Sequence, residues 1–157
     1  MIFWIEKKYK DEYIGSAVSS GIRYKFSIDF DEKNKNFIKE FIKYLRRKYY
    51  FPIRLNITFS NSEYFNHILD NHKYYAAFYD MSDEKRKIYP IISVAAKITK
   101  NNSIDDVLFA IAHEITHYFQ WYFLEEEKRT DKSLEIEANK WANYILEEYN
   151  NEKNYSD

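Results

Sequence analysis

Residues 103–123, SIDDVLFAIAHEITHYFQWYF, carry the pattern around which the chain is organised. Ser103 followed three residues later by Asp106 is a capping-box start, and Ile104, Val107, Leu108, Ile111, Ile115, Tyr118 and Tyr122 then recur at helical spacing. The spacing predicts an amphipathic helix over 103–123. At about 100° per residue its apolar stripe centres near Ile111, and His113, His117 and Gln120 cluster on nearly the opposite side. Within it, His113-Glu114-Ile115-Thr116-His117 has the form H-E-x-x-H, which places two imidazoles one turn apart with a carboxylate beside them. Such a group can clamp a metal ion and supply a base. A shuffled chain of this composition would contain the pattern roughly one time in a hundred, before any helix around it is required. Two solvated histidines on a surface helix are therefore the weaker reading.

A chain of 157 residues suits one domain with one core and one cleft. Its net charge of −1 supplies no global field toward nucleic acid or an anionic membrane. Aromatic residues reach 20%, but Lys, Asn, Ile, Tyr and Phe are abundant together while Gly and Pro number 2 each, a bias expected of an A+T-rich coding sequence rather than of a stacking platform. With no cysteine there is no disulfide and no thiolate metal site, which fits a reducing compartment. The opening Met-Ile-Phe-Trp-Ile-Glu-Lys-Lys has too short an apolar run for a secretory signal, with its charges on the wrong side. No stretch approaches a membrane span, and the expected location is cytoplasmic.

Taken in order, 2–5 and 22–30 read as short strands, the second from the alternation of Ile22, Tyr24, Phe26 and Ile28. Residues 34–50 carry Phe37, Ile38, Phe41, Ile42, Tyr44 and Leu45 at helical spacing, with Pro52 beyond the end. The Lys and Arg residues of that helix read as a solvated face whose last turn complements the helix dipole, rather than as a nucleic-acid surface. Residues 53–59 alternate as a half-buried strand, and the polar connection 61–73 holds His67 and His72, read as surface residues rather than ligands. Residues 74–79 and 88–98 are two further strands around a turn at 80–87. The second is apolar on both faces and so is the inner one, whereas the first, with Ala76 and Ala77 at its centre, is the exposed edge. After a charged connection at 125–132, Asp131 or Ser133 caps a helix to about Glu148, with a stripe of Leu134, Ala138, Trp141, Ala142, Ile145 and Tyr149. Residues 150–157 read as a frayed tail.

A catalytic zinc takes three protein ligands and keeps a fourth position open. Beyond His113 and His117 no histidine follows; position 123, where the long H-E-x-x-H-x-x-G-x-x-H form needs one, is Phe, and position 120 is Gln. The third ligand should be acidic. Glu135 and Glu137 are the candidates, at opposite margins of the apolar stripe of their helix, and periodicity does not choose between them.

The segment Glu135-Ile136-Glu137-Ala138-Asn139-Lys140-Trp141-Ala142 resembles the glutamate helix of the gluzincin metallopeptidases, the thermolysin-like group, in which the Glu before Ala is the third zinc ligand. It is similar in particular to the E-x-E-A-N-x-x-A signature of ImmA/IrrE-type intracellular peptidases and of compact minigluzincins. The resemblance spans about residues 74–148; earlier residues match only as a generic helix-plus-sheet half. It implies an α+β, zincin-like domain over 1–157, a small mixed sheet packed on an N-terminal helix, the H-E-x-x-H helix and the C-terminal glutamate helix. It also implies Zn2+ held by His113, His117 and Glu137, with Glu114 as general base in peptide-bond hydrolysis. One departure is Trp141, where some members place an acid four residues after the third ligand. No His or Tyr stands out as an oxyanion stabiliser.

A peptide substrate is expected to lie antiparallel to the edge strand at Ala76, Ala77 and Phe78, with Gln120 touching it or orienting a ligand. The expected partner is an intracellular protein or peptide, with no membrane role. Alternatives are a zincin scaffold that holds a protein partner without useful turnover, and a zinc hydrolase of a non-peptide amide.

Overall fold

Polar Asn56, Thr58 and Ser60 alternate with Leu55, Ile57 and Phe59, and only the apolar set is buried. This computed structural model describes residues 21–67, 70–80, 89–123 and 129–155. Strand β1 (Ile22–Phe26), helix α1 (Glu32–Lys48) and strand β2 (Leu55–Ser60) form a β-α-β unit with β1 and β2 parallel. A two-residue hairpin follows, β3 (Phe65–Asn66) with β4 (Lys73–Tyr74). It leads to β5 (Ala76–Tyr79), which pairs antiparallel with β6 (Ile91–Ala95), while β6 runs parallel to β2. The resulting order, β1-β2-β6-β5, is a mixed sheet with β6 inside and β5 at an edge, as the apolar patterns predict. Helices α2 (Ile104–Phe123) and α3 (Asp131–Tyr155) complete an α+β arrangement.

The core explains these positions. Ile57, Phe59, Ile92 and Val94 from the sheet, Ile38, Phe41 and Leu45 from α1, and Val107, Ile111 and Ile115 from α2 belong to one continuous apolar cluster. Tyr118, with no exposed surface, ties α2 to the approach to β2: its hydroxyl donates to Ile53 O at 2.6 Å and accepts from Ile53 N at 3.0 Å. Ala138 and Ala142 are wholly buried, and their small size lets α3 lie close along α2. Helix α2 begins as predicted, with Ser103 N donating to Asp106 Oδ2 at 3.0 Å and Asp106 N donating to Ser103 Oγ at 3.1 Å.

Several boundaries differ from the sequence reading. Strand β1 stops at Phe26, and Ile28 is wholly exposed, because the chain must turn at residues 27–30 to reach Asp31, whose carboxylate caps α1. The cap of α3 is Thr130, which accepts from Ser133 N at 3.1 Å, rather than Asp131 or Ser133. The predicted frayed tail is helical through Tyr155. Tyr149 packs on Phe41 and Tyr44, with centroids 4.9 and 5.0 Å apart, and Glu152 pairs with Arg47, so α1 gives the last turns of α3 a surface to dock on. Strand 2–5, nearly all of the turn at 80–87 and half of the connection at 125–132 lie outside the described residues. Among the described residues no helix is long and apolar enough to cross a membrane.

Candidate metal centre

Helix α2 is covered on two sides, by the sheet and by α3, so its histidine face looks into a crevice rather than into bulk water. One helical turn sets His113 and His117 side by side, with Nε2 atoms 3.2 Å apart. Glu135 of α3 closes the group: its Oε2 lies 3.1 Å from His113 Nε2, and its Oε1 lies 2.8 Å from His117 Nε2. These three side chains can offer ligand atoms that all lie within 4.8 Å of one another. Two ligands at about 2.0–2.1 Å in a tetrahedral zinc site stand about 3.3 Å apart, close to the observed separation of the histidine nitrogens. Two imidazoles and one carboxylate, with the fourth side open to a cleft, is a donor set that fits zinc.

Glu137, the ligand implied by resemblance, is not in this group. Its Oε1 accepts from Arg129 Nη1 at 2.7 Å and from Gln120 Nε2 at 2.9 Å. The reason is the rotation of α3. With Ala138, Ala142 and Ile145 buried toward the core, a step of about 100° per residue puts Glu135 about 60° from the centre of the buried stripe and Glu137 about 100° away on the other side. The wider stripe read from the sequence, with Leu134 and Trp141, leaves the two glutamates nearly symmetric; the observed burial of Ala138, Ala142 and Ile145 is what separates them. Four residues after Glu135 stands Asn139, beside His113, so the place held by Trp141 relative to Glu137 belongs to an amide once the ligand is reassigned.

The electrostatics follow from burial. Desolvation lowers the pKa of His113, with His117 adding to it, against the opposing pull of Glu135 and Asn139. The ring is therefore held toward the neutral form that a metal needs. Glu114 is buried, and desolvation, reinforced by the negative charge of Glu135, pushes its carboxyl up to about 8, opposed by a hydrogen bond from the Phe78 backbone. That bond joins Glu114 to the edge strand.

The cleft beside these groups has a volume of about 640 Å³ and is lined in part by Ala76, Phe78, Trp121, Leu134 and His67. His67 was read as a surface residue of a polar connection; the β3–β4 hairpin instead brings it to the cleft, with its ring against Tyr74 and Tyr79 at 4.6 and 4.9 Å. Strand register separates the three edge residues. Ala95 N donates to Tyr75 O, so antiparallel alternation turns the backbone groups of Ala77 toward Ser93 of β6 and those of Ala76 and Phe78 outward. Ala77 is thus a ladder residue, and the outward pairing positions are Ala76 and Phe78. Of the two roles expected for Gln120, contact with substrate or orientation of a ligand, its contacts match the second. The side chain is buried, its Oε1 is 2.7 Å from His117 Nδ1, and its Nε2 donates to Leu134 O at 3.1 Å as well as to Glu137, which commits the amide to the protein rather than to substrate.

No protein-family model, no curated protein and no solved structure matches the chain.

Proposed function

We propose that this chain is a zinc-dependent peptidase of gluzincin-like design, with His113, His117 and Glu135 as metal ligands and Glu114 as general base. The observation that carries this reading is the convergence of two imidazole nitrogens and one carboxylate next to a second, buried carboxylate at a cleft edged by β5. A bound zinc ion would polarise the scissile carbonyl and lower the pKa of a coordinated water to about 7.

The chain's own residues supply the rest. Glu114 accepts the proton of the attacking water and delivers it to the leaving amine. Its raised pKa keeps the proton on Glu114 in the metal-free protein, and a dication held at the neighbouring ligands would lower that value so that the carboxylate is ionised and able to accept. The Phe78 N–H fixes the carboxylate, so an extended substrate added to the strand pairs with the outward groups of Ala76 and with the Phe78 carbonyl. Such pairing favours peptide over a small amide. The absence of cysteine fits a reducing compartment and an intracellular substrate.

The test is Glu114→Gln in zinc-loaded protein, assayed on a mixed peptide library. We expect one zinc per chain to be retained and cleavage to fall about 10²–10⁴-fold. Wild-type protein that binds zinc but cleaves no peptide would favour the alternative, a scaffold that holds a partner along β5.

A further inference from the structure

Gln120 lies between atoms that can only accept, and this determines which way its amide faces. Leu134 O and the Glu137 carboxylate both accept, so the end of Gln120 that meets them at 3.1 and 2.9 Å is the nitrogen, with its two N–H donors. The carbonyl Oε1 must then face His117 Nδ1 at 2.7 Å. An acceptor at that distance requires a proton on Nδ1. With Nδ1 fixed as a donor, Nε2 is the position that exchanges its occupant: Glu135 Oε1 lies 2.8 Å from it and accepts a proton carried there, and in the neutral ring the lone pair on Nε2 is free for a metal ion.

We propose that Gln120 and Glu137 are positioning residues that hold His117 in the Nδ1–H tautomer, so that Nε2 is presented to a metal ion in advance of binding. Arg129 completes the device: its Nη1 fixes the Glu137 carboxylate at 2.7 Å, and its Nε and Nη2 bond Ser133 on the first turn of α3. The two clamp histidines are consequently unequal. Nδ1 of His113 is buried without a well-formed hydrogen bond, whereas that of His117 is set by a chain of three side chains. Glu137, the residue that resembles a ligand, acts on the metal site through two intermediaries. This inference rests on the metal-site reading above.

Long-range proton–nitrogen NMR of the metal-free protein in mildly alkaline buffer reads the tautomer directly, and with only four histidines the His117 signals are assignable by substitution. The expected result is the Nδ1–H form at His117; the Nε2–H form, or a mixture, overturns the proposal. Zinc competition against a chelating dye supplies the second readout. Gln120→Ala is expected to weaken zinc binding about 10–100-fold, and Glu137→Ala about tenfold. Glu137→Gln, which keeps an acceptor for the Gln120 amide, should stay within about threefold of wild type. Unchanged affinity in Gln120→Ala overturns the proposal, and equal losses in the two Glu137 variants remove Glu137 from it. Should Gln120→Ala fail to fold, the wild-type tautomer and the Glu137 pair decide. Zinc binding with the wrong tautomer removes only this role; a wild-type protein with the right tautomer and no zinc affinity removes the metal reading and this role together.

Discussion

The two helices that build the centre hold their groups under different constraints. On α2, His113 and His117 are one turn apart, so any burial of that helix that leaves the histidine face over a crevice brings both rings together. On α3, Glu135 and Glu137 are two residues apart and point apart: one carboxylate meets both histidines, the other meets Arg129 and Gln120. Proximity on α2 is a property of the helix itself. The role of each carboxylate on α3 depends on how that helix is rotated against its neighbour.

The strongest test of this contrast is zinc affinity across the four positions. His113→Ala and His117→Ala should abolish stoichiometric binding, and Glu135→Ala should lower affinity about a hundredfold or more, against about tenfold for Glu137→Ala. A greater loss at Glu137 than at Glu135, measured by dye competition, would reverse the assignment of the two glutamates.

The buried carboxylate of α2 and the half-exposed one of α3 also differ in what they cost the metal-free protein. Glu114 titrates near 8 in the folded chain against an ordinary 4.5, so the folded state holds this proton more tightly than the unfolded state does. Its contribution to stability is fully present below about pH 4.5 and is lost as pH rises through 8. Denaturant unfolding of metal-free wild type should therefore weaken over that window, on the order of a few kcal/mol, relative to Glu114→Gln. Parallel stability curves for the two proteins would contradict a buried, protonated Glu114.

Smaller effects probe how the helices are seated. Tyr118→Phe removes both hydrogen bonds to the partly buried Ile53 backbone, which should cost about 1–2 kcal/mol in unfolding free energy with zinc stoichiometry unchanged. Glu152→Ala removes a partly exposed pair with Arg47 and should cost less than about 1 kcal/mol. If Glu152→Ala cost more than Tyr149→Ala, the end of α3 would be held mainly by charge rather than by Tyr149 in its aromatic seat.

Where local rules suffice, the sequence was enough. The capping box at Ser103, the apolar stripe through Ile111, the histidine pair and the alternation of Leu55, Ile57 and Phe59 each reflect neighbours within a few residues, and each appears as read. The inner and edge strands were legible because burial on both faces marks β6 and its absence marks β5. The end of α3 was not legible. Beyond Tyr149, the last residue of the stripe, Asn150 to Asn154 is polar throughout, and only the docking of Tyr149 on Phe41 and of Glu152 on Arg47 shows why the helix continues.

By itself the sequence determined the H-E-x-x-H helix with its two imidazoles one turn apart and a carboxylate beside them, and narrowed the acidic candidates for a third donor to two on a later helix, because helical pitch and residue chemistry are local. The tertiary structure alone showed which glutamate closes on the histidines, that Gln120 is committed to His117, and that His67 reaches the cleft. Each of these depends on the rotation or docking of one element against another. Side-chain directions around a helix are set by its pitch, but the face turned inward is set by how Ala138, Ala142 and Ile145 pack on α2 and the core.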